Sequence, residues 1–178
     1  MASRRSPRKL AAEELLEYAV KCLGARAYST ADLRWKLRLR AANPADVDAS
    51  VDRLKELGYL DDKNFAENYA AARIENEGLG RMRVLQDLRA RRIDSELADH
   101  AVNQAIGDRS EEEQIDAFIA RRMNSLRIGG PIEDDRKLAA AYRKLRRAGF
   151  TSGAILKALK RLAARPEELA EPAEEEEL

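Results

Sequence analysis

The chain has 178 residues, of which 44% are apolar, 37% charged and 5% aromatic. This length allows one domain or a short array, and the large charged fraction is typical of thin helical layers that remain partly in water. The net charge of +1 hides an asymmetry, because residues 166–178 hold seven glutamates and no basic residue, which leaves +8 for residues 1–165. A basic body favours a nucleic acid or an acidic protein surface as partner.

The composition also indicates the compartment. No segment approaches the ~18–20 uninterrupted apolar residues of a membrane span, and no apolar core of a signal peptide follows the basic start. The single cysteine, Cys22, cannot form an internal disulfide and lies on an apolar helical stripe, which favours a buried packing role. We therefore expect a cytoplasmic protein with no membrane partner.

The apolar spacing predicts nine helices and no sheet, since no segment alternates with a period of two. The first helix covers about residues 11–23, and Gly24 is expected to end it in the left-handed conformation. Ser29 is predicted to cap the second helix, in which Leu33 and Leu37, together with Trp35 as a packing anchor, supply the apolar contacts.

The third to sixth helices follow from similar signals. The third begins at Asn43-Pro44 and continues to Gly58. Asp61 or Asp62 is predicted to cap the fourth, which is broken at Gly78-Leu79-Gly80. The fifth contains Val84, Leu85 and Leu88, and Asp94 caps the sixth, which ends at Gly107.

The last three helices have clear boundaries. Ser110 and Glu113 predict a capping box at the start of the seventh helix. Gly129-Gly130-Pro131 separates it from the eighth, which is expected to end at Gly149. Thr151 is predicted to cap the ninth helix, which buries Ile155, Leu156, Leu159 and Leu162.

These helices form groups of three. The step from the last apolar residue of one helix to the first of the next is the same in Leu88–Ile93 and Leu145–Phe150. A period of roughly fifty residues is typical of stacked helical units, each too small to bury a core alone. We predict an all-α, elongated and bowed array with three-helix repeats at 11–58, 60–107 and 110–165. We expect disordered flanks, basic at 1–10 and acidic at 166–178, and the acidic flank either screens the basic body or aids solubility.

Arginine and lysine alternate with the core positions of the second, fifth and eighth helices. Because these helices take equivalent places in the predicted repeats, we expect their cations to form one stripe that binds phosphates or carboxylates. The alternative is that each cation only solvates its helix or pairs with a nearby acid. The predicted binding residues on these helices are Arg34, Lys36, Arg38, Arg81, Arg83, Arg89, Arg91, Arg92, Arg136, Lys137, Arg143, Lys144, Arg146 and Arg147.

Catalytic and cofactor chemistry has little support in the sequence. Asp61-Asp62 is more simply a helix cap and an exposed acid than a metal site, since neither a calcium-loop pattern nor a histidine accompanies it. His100 has only Asp99 beside it. No Walker loop or nucleophile elbow is present. We therefore predict no catalytic residue, no metal and no cofactor.

One stretch of the chain resembles a known family. Leu54-Lys55-Glu56-Leu57-Gly58-Tyr59-Leu60-Asp61-Asp62, followed by Phe65-Ala66, Arg73 and Gly78-Leu79-Gly80, resembles the RecX regulatory proteins. Arg26 to Leu33 with Lys36-Leu37 resembles the first repeat of the same family. Two features depart from the family pattern, namely the turn through Asn43-Pro44 and the acidic segment 166–178.

The resemblance implies three tandem three-helix repeats and a non-enzymatic modulator of the RecA recombinase. Such proteins bind along the RecA–single-stranded-DNA filament and restrain its growth, ATP hydrolysis and strand exchange. It also adds Arg73 as a candidate contact, which either faces the partner or stabilises the end of its helix. We expect a monomer with no small-molecule substrate. The alternatives are a DNA-binding module that acts without RecA and a scaffold for another protein.

Overall fold

The computed structural model describes residues 8–123, 126, 132–164 and 167. Within these residues the chain forms nine α-helices and no strand, which confirms the predicted all-α class. The helices are α1 (Ala12–Ala25), α2 (Thr30–Arg38), α3 (Ala45–Glu56), α4 (Asp62–Ala71), α5 (Arg81–Ala90), α6 (Ser95–Ile106), α7 (Glu111–Arg122), α8 (Asp135–Ala148) and α9 (Ser152–Lys160). A π-helical turn, Ala72–Asn76, extends α4.

The predicted N-terminal caps are confirmed. The Ser29 hydroxyl accepts the amide of Asp32 at 3.1 Å. Ser110 accepts the amide of Glu113 at 3.2 Å, and the Glu113 carboxylate accepts the Ser110 amide at 2.8 Å, which completes the capping box. These bonds to Ser110 hold the pKa of Glu113 below its usual value. Each cap satisfies amides that have no partner within their own helix.

The cap of α4 resolves a choice that the sequence left open. The Asp61 carboxylate accepts the amides of Lys63 and Asn64 at 2.8 and 3.0 Å, so Asp61 is the cap. Asp62 instead accepts the amide of Thr30 at 2.8 Å and thereby joins α4 to the start of α2. Both acids therefore have structural roles.

Three helices end in the same hydrogen-bonded turn. At the end of α8, the Phe150 amide donates to the Leu145 carbonyl at 3.3 Å, across a left-handed Gly149. Ile93 donates to Leu88 in the same way after α5, and α3 ends through a left-handed Gly58. This is the Schellman motif, and it explains the identical spacing of Leu88–Ile93 and Leu145–Phe150.

Two local predictions are wrong. Gly24 does not end α1, because the helix continues to Ala25 and Arg26 leaves it in an extended conformation. Trp35 is not a packing anchor, since 63% of its surface is exposed. Trp35 points about 160° away from Leu33 and Leu37, the residues that anchor α2 in the core.

The chain divides into two units, each with its own core. The first is Met1–Asn68 with Leu88–Ala98, and the second is Tyr69–Asp87 with Asp99–Leu178. In the first unit α1, α2 and α3 pack together around buried leucines and valines, and in the second α9 packs against α7 and α8. The predicted second repeat thus contributes to both units. Its boundaries and the bowed shape stay predictions.

A backbone pairing joins the segment before α1 to the segment after α2. The Leu10 amide donates to the Arg40 carbonyl at 2.7 Å, and the Ala42 amide donates back to Leu10 at 2.8 Å. Leu10, the last residue of the predicted basic flank, thus forms backbone hydrogen bonds, and the bounds of that flank stay a prediction. Residues 1–7 and the predicted acidic tail, apart from Glu167, lie outside the described residues.

Candidate functional site

One face of α8 is strongly basic in the described structure. Leu138, Ala141, Leu145 and Ala148 are buried, so the opposite side of the helix faces solvent. At 100° per residue, all the cations of α8 point within about 90° of one direction. They are Arg136, Lys137, Arg143, Lys144, Arg146 and Arg147, and each is exposed.

Among the described residues, none of these cations forms an ion pair with a carboxylate. Lys144 donates to the Arg122 carbonyl at 2.8 Å, Arg146 to the Phe150 carbonyl at 3.0 Å and Arg147 to the Arg143 carbonyl at 3.3 Å. A bond to a carbonyl leaves the full positive charge in place. The basic face of α8, as we call these six residues, can therefore bind phosphates or carboxylates without first breaking an ion pair.

The cations of α5 are arranged differently. The Arg81 guanidinium binds Asp99 at 2.5 Å and also contacts Asn103, while Arg83 binds Asp87 at 3.1 Å. Arg89 is exposed, and so is Arg92, which follows α5 and has a left-handed backbone with φ +56°. Much of the charge at the start of α5 is thus used within the protein.

Arg91, which follows α5, is half-buried and joins two elements of the first unit. Its carbonyl accepts the Ser29 hydroxyl at 3.0 Å. Its backbone thus has a structural role at the start of α2.

Arg73 is held by neighbours on its own helix. Its guanidinium lies 4.9 Å from the centre of the Tyr69 ring and pairs with Glu77. The Tyr69 hydroxyl, followed by Glu77, raises the pKa of Arg73 above its ordinary value, and partial burial opposes this shift. These contacts support the structural alternative for Arg73, because a partner would have to compete with both neighbours.

Of the three predicted binding residues on α2, two contact other side chains of the protein and the third is exposed. Arg34 binds Asp48 of α3 at 2.9 Å. Lys36 lies 5.5 Å from the centre of the Tyr28 ring, which also has the Arg26 guanidinium at 4.1 Å. Arg38 is exposed and has no carboxylate partner in the described part of the chain.

The packing within the two units agrees with the predicted equivalence of α2 and α8, which stays a prediction. α3 packs against both α1 and α2, and α9 packs in the same way against α7 and α8. α5 and α8 also share the Schellman end. Ile132 pairs with residues 162 and 164, and Leu10 pairs with residues 40 and 42.

The sequence did not lead us to predict an exposed apolar pair on α2. Trp35 is 63% exposed and Leu39, one turn later, is 50% exposed. Exposed large apolar residues that adjoin one another often mark an interaction site. A helical wheel drawn from Leu33 and Leu37 would have placed both on the outer side of α2.

The described residues contain no group of three metal-ligating side chains, and His100 is exposed. In the same part of the chain, no helix is both long and apolar enough to cross a membrane.

Comparison with known proteins places this fold. A family profile described as "RecX, second three-helix domain" matches residues 61–102, close to the predicted second repeat. The regulatory protein RecX of Deinococcus radiodurans is 36% identical over 167 residues, which cover 93% of this chain and 74% of that protein. The chain belongs to the RecX family of regulatory proteins. RecX of Trichlorobacter lovleyi is 31% identical over 77% of this chain and 88% of its own length.

Solved RecX structures share the fold at low sequence identity. The crystal structure of RecX from Lactobacillus salivarius superimposes with a TM-score of 0.63 at 17% identity, over 85% of this chain and 96% of that one. A second RecX crystal structure gives a TM-score of 0.61 at 19% identity.

The residues that carry the RecX resemblance are largely structural. Gly58 is left-handed with φ +74°, Leu60 is buried and Asp61 caps α4. Gly80 does not have a positive φ. Its role is a close approach, because a Cβ there would lie 2.6 Å from the Gly149 carbonyl oxygen.

Proposed function

We propose that this RecX-family protein binds the RecA–single-stranded-DNA filament and mostly inhibits RecA. It would act without catalysis and as a monomer, in the cytoplasm, in recombination, DNA repair and the SOS response. Family membership supports the partner, and the basic face of α8 supports the mode of binding.

The first turn of α8 is the observation that carries the binding mode. Arg146 and Arg147 lie in the last turn, where the helix dipole favours positive charge. Arg136 and Lys137 lie in the first turn, where the dipole opposes it, and neither has a carboxylate partner among the described residues. Local helix stability does not account for these two cations, whereas an external anionic partner does.

Binding would be the sum of several exposed contacts. One exposed ion pair contributes only about 0.2–1 kcal/mol and is screened at physiological salt over roughly 8 Å. A filament repeats its anionic groups, so several cations can engage together. We therefore expect affinity to fall as salt is raised.

The test is RecA ATP hydrolysis on single-stranded DNA, titrated with this protein. Replacing Arg136, Lys137 and Arg143 by Gln is expected to raise the half-inhibitory concentration about 10-fold, since three such contacts sum to roughly 1–3 kcal/mol. A control variant replaces three exposed lysines outside α8, Lys21, Lys55 and Lys63, by Gln. It changes the net charge by the same amount as the α8 variant.

Two results would contradict the proposal. Equal inhibition by the α8 variant and the lysine control would show that the basic face of α8 is not used. Absence of inhibition by the unsubstituted protein, together with tight binding to bare DNA in a mobility-shift assay, would favour the alternative of a DNA-binding module independent of RecA.

A further inference from the structure

The basic face of α8 lies next to the point at which the acidic C-terminal segment begins. The Ala164 amide donates to the Ile132 carbonyl at 3.0 Å, and the Ile132 amide donates to the Leu162 carbonyl at 2.7 Å. Ile132 comes shortly before Asp135, the first residue of α8. The chain therefore leaves Ala164 beside the N-terminal end of α8.

The charges of this segment match those of α8 in number and oppose them in sign. Residues 166–178 contain seven glutamates and no basic residue, and four of the glutamates are consecutive, Glu174–Glu177. We call these four the tail glutamates. The second half of α8 has four exposed cations without a carboxylate partner in the described part of the chain, and they are Arg143, Lys144, Arg146 and Arg147.

The segment is long enough to bring the two groups together. At about 1.5 Å per residue, the centre of the four cations lies about 15 Å along α8 from Asp135. The ten chain steps from Ala164 to Glu174 can span up to about 33 Å. A tether that exceeds the required distance by this modest amount keeps the effective concentration of the glutamates near the cations in the millimolar range.

Other charges near Ala164 favour the second half of α8 as the site. The acids at 133–135 are exposed just before the helix and would repel glutamates placed at its first turn. On α9, Lys157 already binds Glu112 at 3.2 Å. Arg161 already binds Asp116 at 2.7 Å. The cations in the second half of α8 have no such carboxylate partner in the described residues.

We propose that the tail glutamates bind the second half of the basic face of α8 within the same chain and compete there with other anions. The contact is reversible, because exposed ion pairs are individually weak and are screened by salt. A partner that offers many anionic groups at once displaces the tail glutamates, whereas a partner with few does not. The segment thereby sets a threshold for binding at α8. The contact does not depend on RecA, but its effect on RecA rests on the proposed function.

Carbodiimide coupling of the unsubstituted protein, at low salt and without RecA or DNA, tests the contact. The reagent joins a lysine amine to a neighbouring carboxylate as an amide. Lys144 is the lysine among the four cations, and Lys160 is an exposed lysine close to Ala164 in sequence. We expect mass spectrometry to find more coupling of the tail glutamates to Lys144 than to Lys160, in the monomer and at a yield independent of protein concentration. Greater coupling at Lys160, or coupling only between two copies of the chain, would overturn the proposal.

A substitution experiment measures the competition. The tail variant replaces the tail glutamates by Gln and keeps the length of the chain. A control variant replaces four exposed acids outside the segment by their amides, which gives the same change in net charge, and these are Glu17, Asp52, Glu75 and Asp108. At low salt the tail variant should inhibit RecA ATP hydrolysis at an about 10-fold lower concentration than the control variant, since several exposed ion pairs no longer have to be broken. The difference should shrink as salt is raised.

The outcomes separate the internal contact from the proposed function. If the unsubstituted protein and the tail variant both leave RecA activity unchanged, the proposed function fails, while coupling at Lys144 still supports the contact. If the protein inhibits RecA but the tail variant inhibits no better than the control variant, the competition is refuted and the proposed function stands. If Lys144 is not coupled to the tail glutamates, the contact is refuted whatever the effect on RecA.

Discussion

Gly149 offers a quantitative test of the structure of the second unit. A Cβ at this residue would lie 2.4 Å from the Arg83 amide nitrogen and 2.5 Å from the Arg83 Cβ, and its φ is +96°. Left-handed backbone costs a residue with a Cβ about 1–2 kcal/mol, and forced rearrangement around an added methyl group about 1–3 kcal/mol. We expect Gly149→Ala to lower the free energy of unfolding by about 2–5 kcal/mol.

Three other glycines separate the two contributions. Gly58 has φ +74° and nothing within 4 Å of a Cβ, so Gly58→Ala should cost only the conformational part, about 1–2 kcal/mol. Gly80 has an ordinary φ but a close approach to Gly149, so Gly80→Ala should cost only the steric part, about 1–3 kcal/mol. Gly24→Ala should stabilise the protein by about 0.5–1 kcal/mol, because Gly24 lies inside α1 with open space around it.

Urea unfolding followed by circular dichroism measures all four variants. Gly80 and Gly149 lie against each other, because a Cβ at Gly80 would lie 2.6 Å from the Gly149 carbonyl oxygen. The double variant should therefore cost less than the two single variants added together. If Gly149→Ala costs no more than Gly58→Ala, the close packing of the start of α5 against the end of α8 is refuted.

Three further predictions concern single features. The Arg26 guanidinium, followed by Lys36, lowers the pKa of Tyr28 against the opposing effect of burial, so this phenol should ionise at a lower pH than without those cations. An ultraviolet absorbance titration of Tyr28→Phe should lose a phenolate step whose pKa is lowered, and stability from this group should appear as pH rises through the folded pKa. Ser110→Ala should cost about 1 kcal/mol in urea unfolding, with a smaller loss at low pH, because the lowered pKa of Glu113 stabilises the fold only while that carboxylate is ionised. Deletion of residues 166–178 should tighten filament binding if the seven glutamates screen the basic body, and unchanged affinity at low salt would refute screening.

Local chemistry made much of the fold predictable. Ser29, Ser110 and Thr151 could be assigned as caps because a hydroxyl before an apolar period has few other uses. Gly149 was predictable as a helix end for the same kind of reason. Gly24 misled because glycine marks a helix end only when the next residues leave the helix, and Ala25 is still helical.

Tertiary pairing was harder to predict. Leu10 and Ala41 are ordinary apolar residues far apart in sequence, and nothing local indicates that their backbones pair. The roles of Arg81 and Arg83 escaped prediction similarly, since their carboxylate partners are set by the packing and local geometry of the helices.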